Sequence, residues 1–120
     1  MFSTNLEFNG AAEKAINFYA NVFGYEIKDS DVHKWENGLI AHAEIVIYGN
    51  RLMFSDVDSE ANFAGFSLTI NLTDADELRQ KYDALSKGAD IIMPLDKVEW
   101  SQLYGLLKDE FGVTWQFNLD

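Results

Sequence analysis

His42 and Glu44 are the two side chains of the sequence whose types and spacing best suit acid–base chemistry. If they lie in a strand, their i, i+2 spacing places both on one face, with Cβ atoms about 7 Å apart. An imidazole beside a carboxylate can transfer protons, bind a ligand, contribute to a metal site, or form an ion pair that only fixes the strand. The spacing leaves these roles open. The other histidine, His33, lies in a polar stretch, and we expect it at the surface.

Two other stretches alternate between polar and apolar residues, which predicts strands with one polar face. The polar sets are Ser67, Thr69 and Asn71 in one stretch, and Thr114, Gln116 and Asn118 in the other. We expect both sets on the concave side of a sheet, with Trp100 and Tyr104 as a roof. Apolar walls with a few directed polar groups are typical of small-molecule pockets. A plain solvent-exposed sheet is the alternative.

The elements that must position these residues can be read from periodicity in the first half of the chain. Apolar residues at helical spacing predict a helix over residues 11–23, capped by Asn9 or Gly10 and ended by Gly24. Strands are expected over 25–28, 39–48 and 51–55. Gly49-Asn50 is the expected hairpin turn. In the strand over 39–48, alternation places Ile40 on the same face as His42 and Glu44.

The second half repeats this order. Strands are expected over 65–72, 91–95, 98–108 and 113–119, and a helix begins at Thr73 or Asp74 and ends at Gly88. The two stop glycines are about 64 residues apart. We therefore predict an α+β fold of two βαβββ modules, 1–56 and 64–120, in one domain with a curved, mostly antiparallel sheet and helices outside.

Composition excludes several classes of function. The chain has 120 residues, 20 acidic and 9 basic, so its net charge is −11, and it has no cysteine. This acidity argues against nucleic acid and anionic membrane surfaces as partners, and the missing thiols exclude thiolate ligands and nucleophiles. No apolar run reaches the ~20 residues of a membrane span, and we expect a cytoplasmic protein.

Five stretches resemble, in the right order, the motifs of one family: AExAIxFYxxVFG at 12–24, HAE at 42–44, LMxSD at 52–56, MPL with a following Trp at 93–100, and DxFGVxW at 109–115. These motifs are similar to those of the PhnB-like proteins of the vicinal-oxygen-chelate superfamily, which includes glyoxalases, bleomycin-resistance proteins and extradiol dioxygenases. The resemblance implies paired βαβββ modules and a homodimer. Glu99 and Ser101 depart from the usual Phe and Gly beside the motif Trp.

The same resemblance assigns the superfamily's four metal-ligand positions to Thr4, Met53, Ser67 and Gln116. Divalent metals of this kind favour imidazole and carboxylate ligands, so two hydroxyls, a thioether and an amide make a poor set. We expect no metal cofactor. The catalytic candidates are His42 and Glu44. The candidate ligand-binding residues are His42, Glu44, Ser55, Ser67, Thr69, Trp100, Tyr104 and Gln116.

The functional expectation is a metal-independent homodimer that binds a small polar or aromatic molecule. One alternative is a metal-dependent lyase, isomerase or dioxygenase with one divalent ion held by a non-standard set, His42, Glu44 and Gln116. Another is a structural dimer with no ligand. Whether the chain catalyses a reaction stays open from the sequence.

Overall fold

The computed structural model of the chain describes residues 2–120 and divides into two units, Met1–Ala61 and Asn62–Asp120. Each unit holds one strand, one helix and three further strands, in that order. In unit 1 the elements are β1 Thr4–Phe8, α1 Ala12–Phe23, a short 3₁₀ turn Asp29–Asp31, β2 Val32–Lys34, β3 Ile40–Ile47 and β4 Asn50–Asp56. In unit 2 they are β5 Leu68–Leu72, α2 Ala75–Leu85, β6 Asp90–Val98, β7 Ser101–Lys108 and β8 Thr114–Leu119. The predicted α+β class with repeated βαβββ order is confirmed.

The two sheets share one topology. Their strand orders are β1-β4-β3-β2 and β5-β8-β7-β6. In each, the first strand pairs in parallel with the last, and the other pairings are antiparallel. Each sheet has a buried face on which a helix tyrosine contacts a strand phenylalanine. Tyr19 stacks on Phe54 at 5.9 Å between ring centroids, and Tyr82 meets Phe117 edge-on at 5.5 Å.

The start of α1 differs from the prediction. Ala11 occupies the N-cap and makes no side-chain cap, so neither Asn9 nor Gly10 caps the helix. Instead Asp56, at the end of β4, accepts hydrogen bonds from the N–H groups of Gly10 (2.7 Å) and Ala12 (3.2 Å). Its other oxygen accepts from the Ile40 N–H at 2.9 Å. One carboxylate thus fastens the helix start and the start of β3.

The helix ends follow local chemistry. Gly24 ends α1 in the left-handed conformation with φ 72°, as predicted. Asp74 caps α2, accepting from the N–H groups of Asp76 (2.9 Å) and Glu77 (3.2 Å). The helix then ends at Leu85, three residues before the predicted Gly88, which instead lies in the following turn at φ 73°.

The strand predicted over residues 25–28 is absent from the structure. That stretch is irregular, and the strand of this region is β2, Val32–Lys34. Asp31 explains the difference, because its carboxylate accepts from the Lys28 N–H (2.8 Å) and the Tyr25 hydroxyl (2.9 Å). These bonds fold the stretch back into a turn and remove the Lys28 N–H from strand pairing.

Two details of β3 also differ. The hairpin turn comprises Tyr48 and Gly49, with φ 49° and 78°, and not Gly49-Asn50. Both central residues of such a tight turn need positive φ. At the other end of the strand, His42 opposes His33 while Ile40 opposes Lys34, which leaves an extra residue in β3. This bulge turns Ile40 to the buried face, away from His42.

A second carboxylate, which is buried, stabilises the hairpin between β7 and β8. Asp109 is 4% exposed and accepts from the N–H groups of Phe111 (2.9 Å) and Val113 (3.0 Å), and from the indole N–H of Trp115 (2.9 Å). Nearby in the same sheet, Gly105 lies under the α2 helix, where an added Cβ would meet the Tyr82 ring at 2.7 Å. Within residues 2–120, no helix combines the length and apolar character required to cross a membrane.

Candidate functional site

Unit 2 presents a polar sheet face opposite its buried one. In β5, Thr69 and Asn71 alternate with the buried Ile70 and Leu72. In β8, Gln116 and Asn118 alternate with buried aromatic residues. Strand register places Thr69 beside Gln116 and Asn71 beside Asn118. The alternating pattern therefore brings residues far apart in sequence onto one surface.

Gln116 is the centre of a hydrogen-bond chain on this face. Its amide Nε2 donates to Ser67 Oγ at 2.7 Å, and its Oε1 accepts from the Tyr104 hydroxyl at 2.5 Å. Ser67 precedes β5, Gln116 is in β8 and Tyr104 is in β7, so the chain links three neighbouring segments. Each partner is half-buried or buried, which limits competition from water. The three side chains hold one another in a fixed arrangement.

An aromatic pair lies at one end of this chain. The Trp100 and Tyr104 rings meet edge-on, with centroids 5.2 Å apart. Tyr104 is 6% exposed, whereas Trp100 is 66% exposed. Because Tyr104 also bonds Gln116, the aromatic pair and the polar chain form one continuous surface, which we call the Gln116 surface: Ser67, Thr69, Trp100, Tyr104 and Gln116.

Asn118 extends the polar face towards the chain end. Its Nδ2 donates to Asn71 Oδ1 (3.2 Å) and to Asp120 Oδ1 (3.0 Å). Its own Oδ1 is buried and has no hydrogen-bond partner among the residues that the structure describes. A buried carbonyl oxygen without a donor is uncommon and costs free energy, so this face holds an acceptor that is not satisfied internally.

Unit 1 brings the His42 and Glu44 pair together on its own polar face. His42 Nε2 lies 3.9 Å from Glu44 Oε1, and Arg51 Nε lies 3.1 Å from the other oxygen, Glu44 Oε2. The sequence interpretation missed Arg51. The hairpin offered a signal, because pairing β3 with β4 sets Arg51 opposite Val46, one diagonal step from Glu44. Glu44 thus lies closer to Arg51 than to His42.

His33 and Ser55 complete the polar face of unit 1. His33 is exposed and lies opposite His42, with ring centroids 6.4 Å apart and planes 21° apart. Ser55 Oγ accepts from the Asn5 amide at 3.2 Å. Of the eight predicted binding residues, unit 1 therefore positions three, His42, Glu44 and Ser55, and unit 2 positions the other five.

Comparison with known proteins assigns the family. The family model described as 3-demethylubiquinone-9 3-methyltransferase matches residues 1–118. The chain belongs to this family. YjdN of Escherichia coli K12 is 27% identical over 137 residues, covering 98% of this chain and 93% of that protein.

Solved structures show the same fold. A PhnB protein from Bacillus cereus is 28% identical with a TM-score of 0.85, and the match covers 99% of this chain and 98% of that one. A glyoxalase/bleomycin resistance protein/dioxygenase family enzyme from Burkholderia phytofirmans reaches a TM-score of 0.76 at 15% identity, covering 98% and 95%. The predicted PhnB-like membership and glyoxalase/bleomycin-resistance fold are confirmed.

The four metal-ligand positions implied by the superfamily do not fit a divalent ion here. Thr4 opposes Leu52 and shares the helix-facing side of β1 with the buried Leu6, so it does not face Met53. Ser67 and Gln116 bond each other. Among residues 2–120, no group of three or more His, Asp or Glu side chains is arranged to hold a metal ion.

Proposed function

We propose that this PhnB-like protein binds a small polar or aromatic molecule at the Gln116 surface, without a metal ion, as a cytoplasmic homodimer. The observation that carries the proposal is the hydrogen-bond chain from Ser67 through Gln116 to Tyr104, with Trp100 beside it. Side chains fixed in this way present donors and acceptors in defined directions, which lowers the entropic cost of binding.

The donors and acceptors that the Ser67–Gln116–Tyr104 hydrogen bonds leave unused indicate which groups a ligand would need. Gln116 uses its amide oxygen and one N–H within the chain, and Ser67 keeps its own hydroxyl hydrogen for an acceptor. The Tyr104 oxygen donates to Gln116 and retains lone pairs for a donor. Trp100 supplies an exposed aromatic surface for stacking. An aromatic or heterocyclic compound with both donors and acceptors matches these groups.

The donor chemistry also supports a metal-independent mode of binding. The Gln116 oxygen, which a metal would need, accepts from Tyr104. Glu44, the carboxylate of the non-standard set, faces Arg51 at 3.1 Å. A cation at either position would have to displace an existing partner. We do not propose the methyl transfer named in the family's description, because the side chains described above are suited to binding a ligand by hydrogen bonds and aromatic contacts.

A ligand screen with matched tyrosine variants tests the proposal. Thermal shift against metabolites and antibiotics identifies a ligand, since specific binding raises the melting temperature by mass action. Tyr104→Phe removes the hydroxyl from the Gln116 surface, and we expect affinity to fall roughly 3- to 10-fold. The matched control is Tyr82→Phe, whose hydroxyl donates to the Met93 carbonyl on the helix-facing side of the same sheet. It should retain the wild-type affinity.

Three results would contradict the proposal. The first is a screen in which no compound shifts the melting temperature while Trp100→Ala changes only stability. The second is equal loss of affinity in the Tyr104→Phe and Tyr82→Phe variants. The third is near-stoichiometric metal in protein purified without a histidine tag, lost in His42→Ala, which would favour the metal-dependent alternative. Sedimentation velocity measures the expected dimer.

A further inference from the structure

Two of the nine asparagines in the chain are followed by glycine, Asn9 by Gly10 and Asn37 by Gly38. In an Asn–Gly pair the glycine nitrogen can attack the side-chain amide of the asparagine. Glycine favours this reaction because it has no Cβ to hinder the approach and because its backbone adopts conformations that other residues avoid. Both pairs belong to unit 1 and both are exposed, but their hydrogen bonds differ.

The Asn37–Gly38 pair lies in the turn between β2 and β3. Every residue from 33 to 39 is exposed. The turn is closed by bonds among its own residues: the Trp35 N–H donates to the Leu39 carbonyl at 2.9 Å, and the Gly38 N–H donates to the Trp35 carbonyl at 2.9 Å. An exposed turn held by a few local bonds opens at a low cost in free energy. The Gly38 nitrogen therefore becomes available without unfolding of the unit.

The Asn37 side chain makes a contact that favours attack on its amide. Its Oδ1 accepts a hydrogen bond from the Leu39 N–H at 3.0 Å. Attack at the amide carbon, Cγ, moves negative charge onto this oxygen, and a donor directed at the oxygen stabilises that charge. The ring that this hydrogen bond closes also contains the Gly38 nitrogen, so the contact keeps the two reacting atoms near each other.

The Asn9–Gly10 pair is held by a charged group. The Gly10 N–H donates at 2.7 Å to the carboxylate of Asp56, which lies 46 residues away at the end of β4. The nitrogen must lose its proton before it attacks, and here the resulting negative charge would lie against a carboxylate. The acceptor of the Gly38 N–H is a neutral carbonyl. The reaction is thus disfavoured at Asn9 and allowed at Asn37.

We propose that Asn37 is a site of spontaneous modification, where the side-chain amide is hydrolysed through a cyclic imide, and that Asp56 protects Asn9 from the same reaction. The Gly38 nitrogen, after its proton passes to water, forms a bond to Asn37 Cγ, and the bond from Cγ to Nδ2 breaks as ammonia leaves. Water then opens the imide at either carbonyl, which leaves aspartate or isoaspartate at position 37. An amide and a water molecule become a carboxylate and an ammonium ion. The turn gains a negative charge, independently of any ligand at the Gln116 surface.

Peptide mass spectrometry of protein incubated in mildly alkaline buffer tests the proposal. Each conversion raises the mass by about 1 Da, and electron-transfer fragmentation locates the change and separates isoaspartate from aspartate. In the native protein we expect Asn37 to convert at least about five-fold faster than Asn9, because the hydrogen bond that holds Gly10 has a charged acceptor. In protein unfolded with guanidinium the two rates should become similar.

Asn62 is a matched control within the chain. Its Oδ1 accepts from the Ala64 N–H at 3.0 Å, the same contact that Asn37 makes with the residue two positions on, but the next residue is the buried Phe63. Asn62 should remain unconverted over the time in which Asn37 converts. Asn37→Gln keeps an amide on a longer side chain, which closes the ring more slowly, and should abolish the mass gain at this position.

A second variant tests the protection of Asn9. Asp56→Ala removes the acceptor of the Gly10 N–H and should bring the rate at Asn9 towards its rate in the unfolded protein. An unchanged rate at Asn9 in this variant would overturn the protective role of Asp56. Equal rates at Asn37 and Asn9 in the native protein would overturn the proposal, as would conversion of Asn62 as fast as that of Asn37. So would the absence of a mass gain at Asn37 while the unfolded protein converts.

Discussion

The two units have the same fold, but the carboxylates that stabilise it lie at different positions. In unit 1, Asp56 at the end of the last strand reaches 44 residues back to the helix start. In unit 2 the N-cap residue Asp74 caps its own helix. The second carboxylate, Asp109, accepts hydrogen bonds within its own hairpin. Unit 1 is thus tied by a long-range contact and unit 2 by local ones. The two units therefore share a topology although their stabilising carboxylates occupy different positions. Each carboxylate lies where backbone N–H groups lack an acceptor within their own helix or strand.

Removal of the Asp109 carboxylate should have the largest effect on stability. Asp109→Ala leaves two backbone N–H groups and the Trp115 indole N–H without their acceptor in a buried region. We expect a loss of about 3 kcal/mol in the free energy of unfolding, measured by urea denaturation. The exposed Asp90→Ala should stay within about 0.5 kcal/mol. A loss below about 1 kcal/mol in Asp109→Ala would show that these three hydrogen bonds contribute little to stability.

Loss of the long-range fastener of unit 1 should exceed loss of the local cap of unit 2. Asp56→Ala removes the acceptor for three N–H groups, and we expect about 2 kcal/mol. Asp74→Ala removes an acceptor for two and should cost about 1 kcal/mol. The same denaturation experiment ranks the variants. Equal losses of unfolding free energy in the two variants would mean that the long-range contact of Asp56 stabilises the fold no more than a local cap does.

The buried faces also differ at one equivalent position. Gly105 lies opposite Phe117 in unit 2, and Ala43 lies opposite Phe54 in unit 1. Gly105→Ala should cost about 1.5 kcal/mol, because the new methyl group would press on the Tyr82 ring and on Leu95. Circular dichroism and denaturation check this, with Ala61→Gly at an exposed site as a control. A neutral Gly105→Ala would show that Tyr82 can move aside.

The smallest expected effect concerns the Asp31 turn, which unit 2 lacks. In Tyr25→Phe the carboxylate loses one of two hydrogen bonds, so the pKa of Asp31 should rise towards its ordinary value. Because the folded-state pKa is lowered, the stabilising contribution is present above the ordinary pKa and is lost as pH falls through the folded value. An NMR titration of the Asp31 carboxyl measures the shift. An unchanged pKa would assign the effect to Lys28, through its N–H group and its charge.

The sequence predicts those features of the fold that depend on neighbouring residues. Helical periodicity places both helices, and Asp74 is recognisable as a cap because its acceptor lies two and three residues from its donors. Asp56 lies one residue beyond the strand predicted over residues 51–55, and nothing local reveals that β4 ends beside the start of α1. The bulge before His42 is hidden for the same reason: only pairing with β2 shows that Ile40 changes face.

The candidate site follows the same division. Alternation predicts that Ser67, Thr69 and Gln116 share a polar face, but only the three-dimensional register shows that Gln116 bonds Ser67 while it lies beside Thr69. The Asp31 turn of unit 1 is not predicted from the sequence. It replaces the strand expected over residues 25–28, and two hydrogen bonds to the Asp31 carboxylate stabilise it.

The Asp56 carboxylate also affects which amide protons of the first unit are protected from exchange with solvent. The Gly10 and Ala12 amides are shielded by a residue of β4, not by their own helix. Amide protons at a helix start ordinarily exchange with solvent by local fraying. Here the acceptor comes from the end of β4, so the exchange rates of these two amides report on the contact between Asp56 and the helix start. Two amides near the N-terminus thus monitor a contact that joins residues 44 and 46 positions apart in the chain.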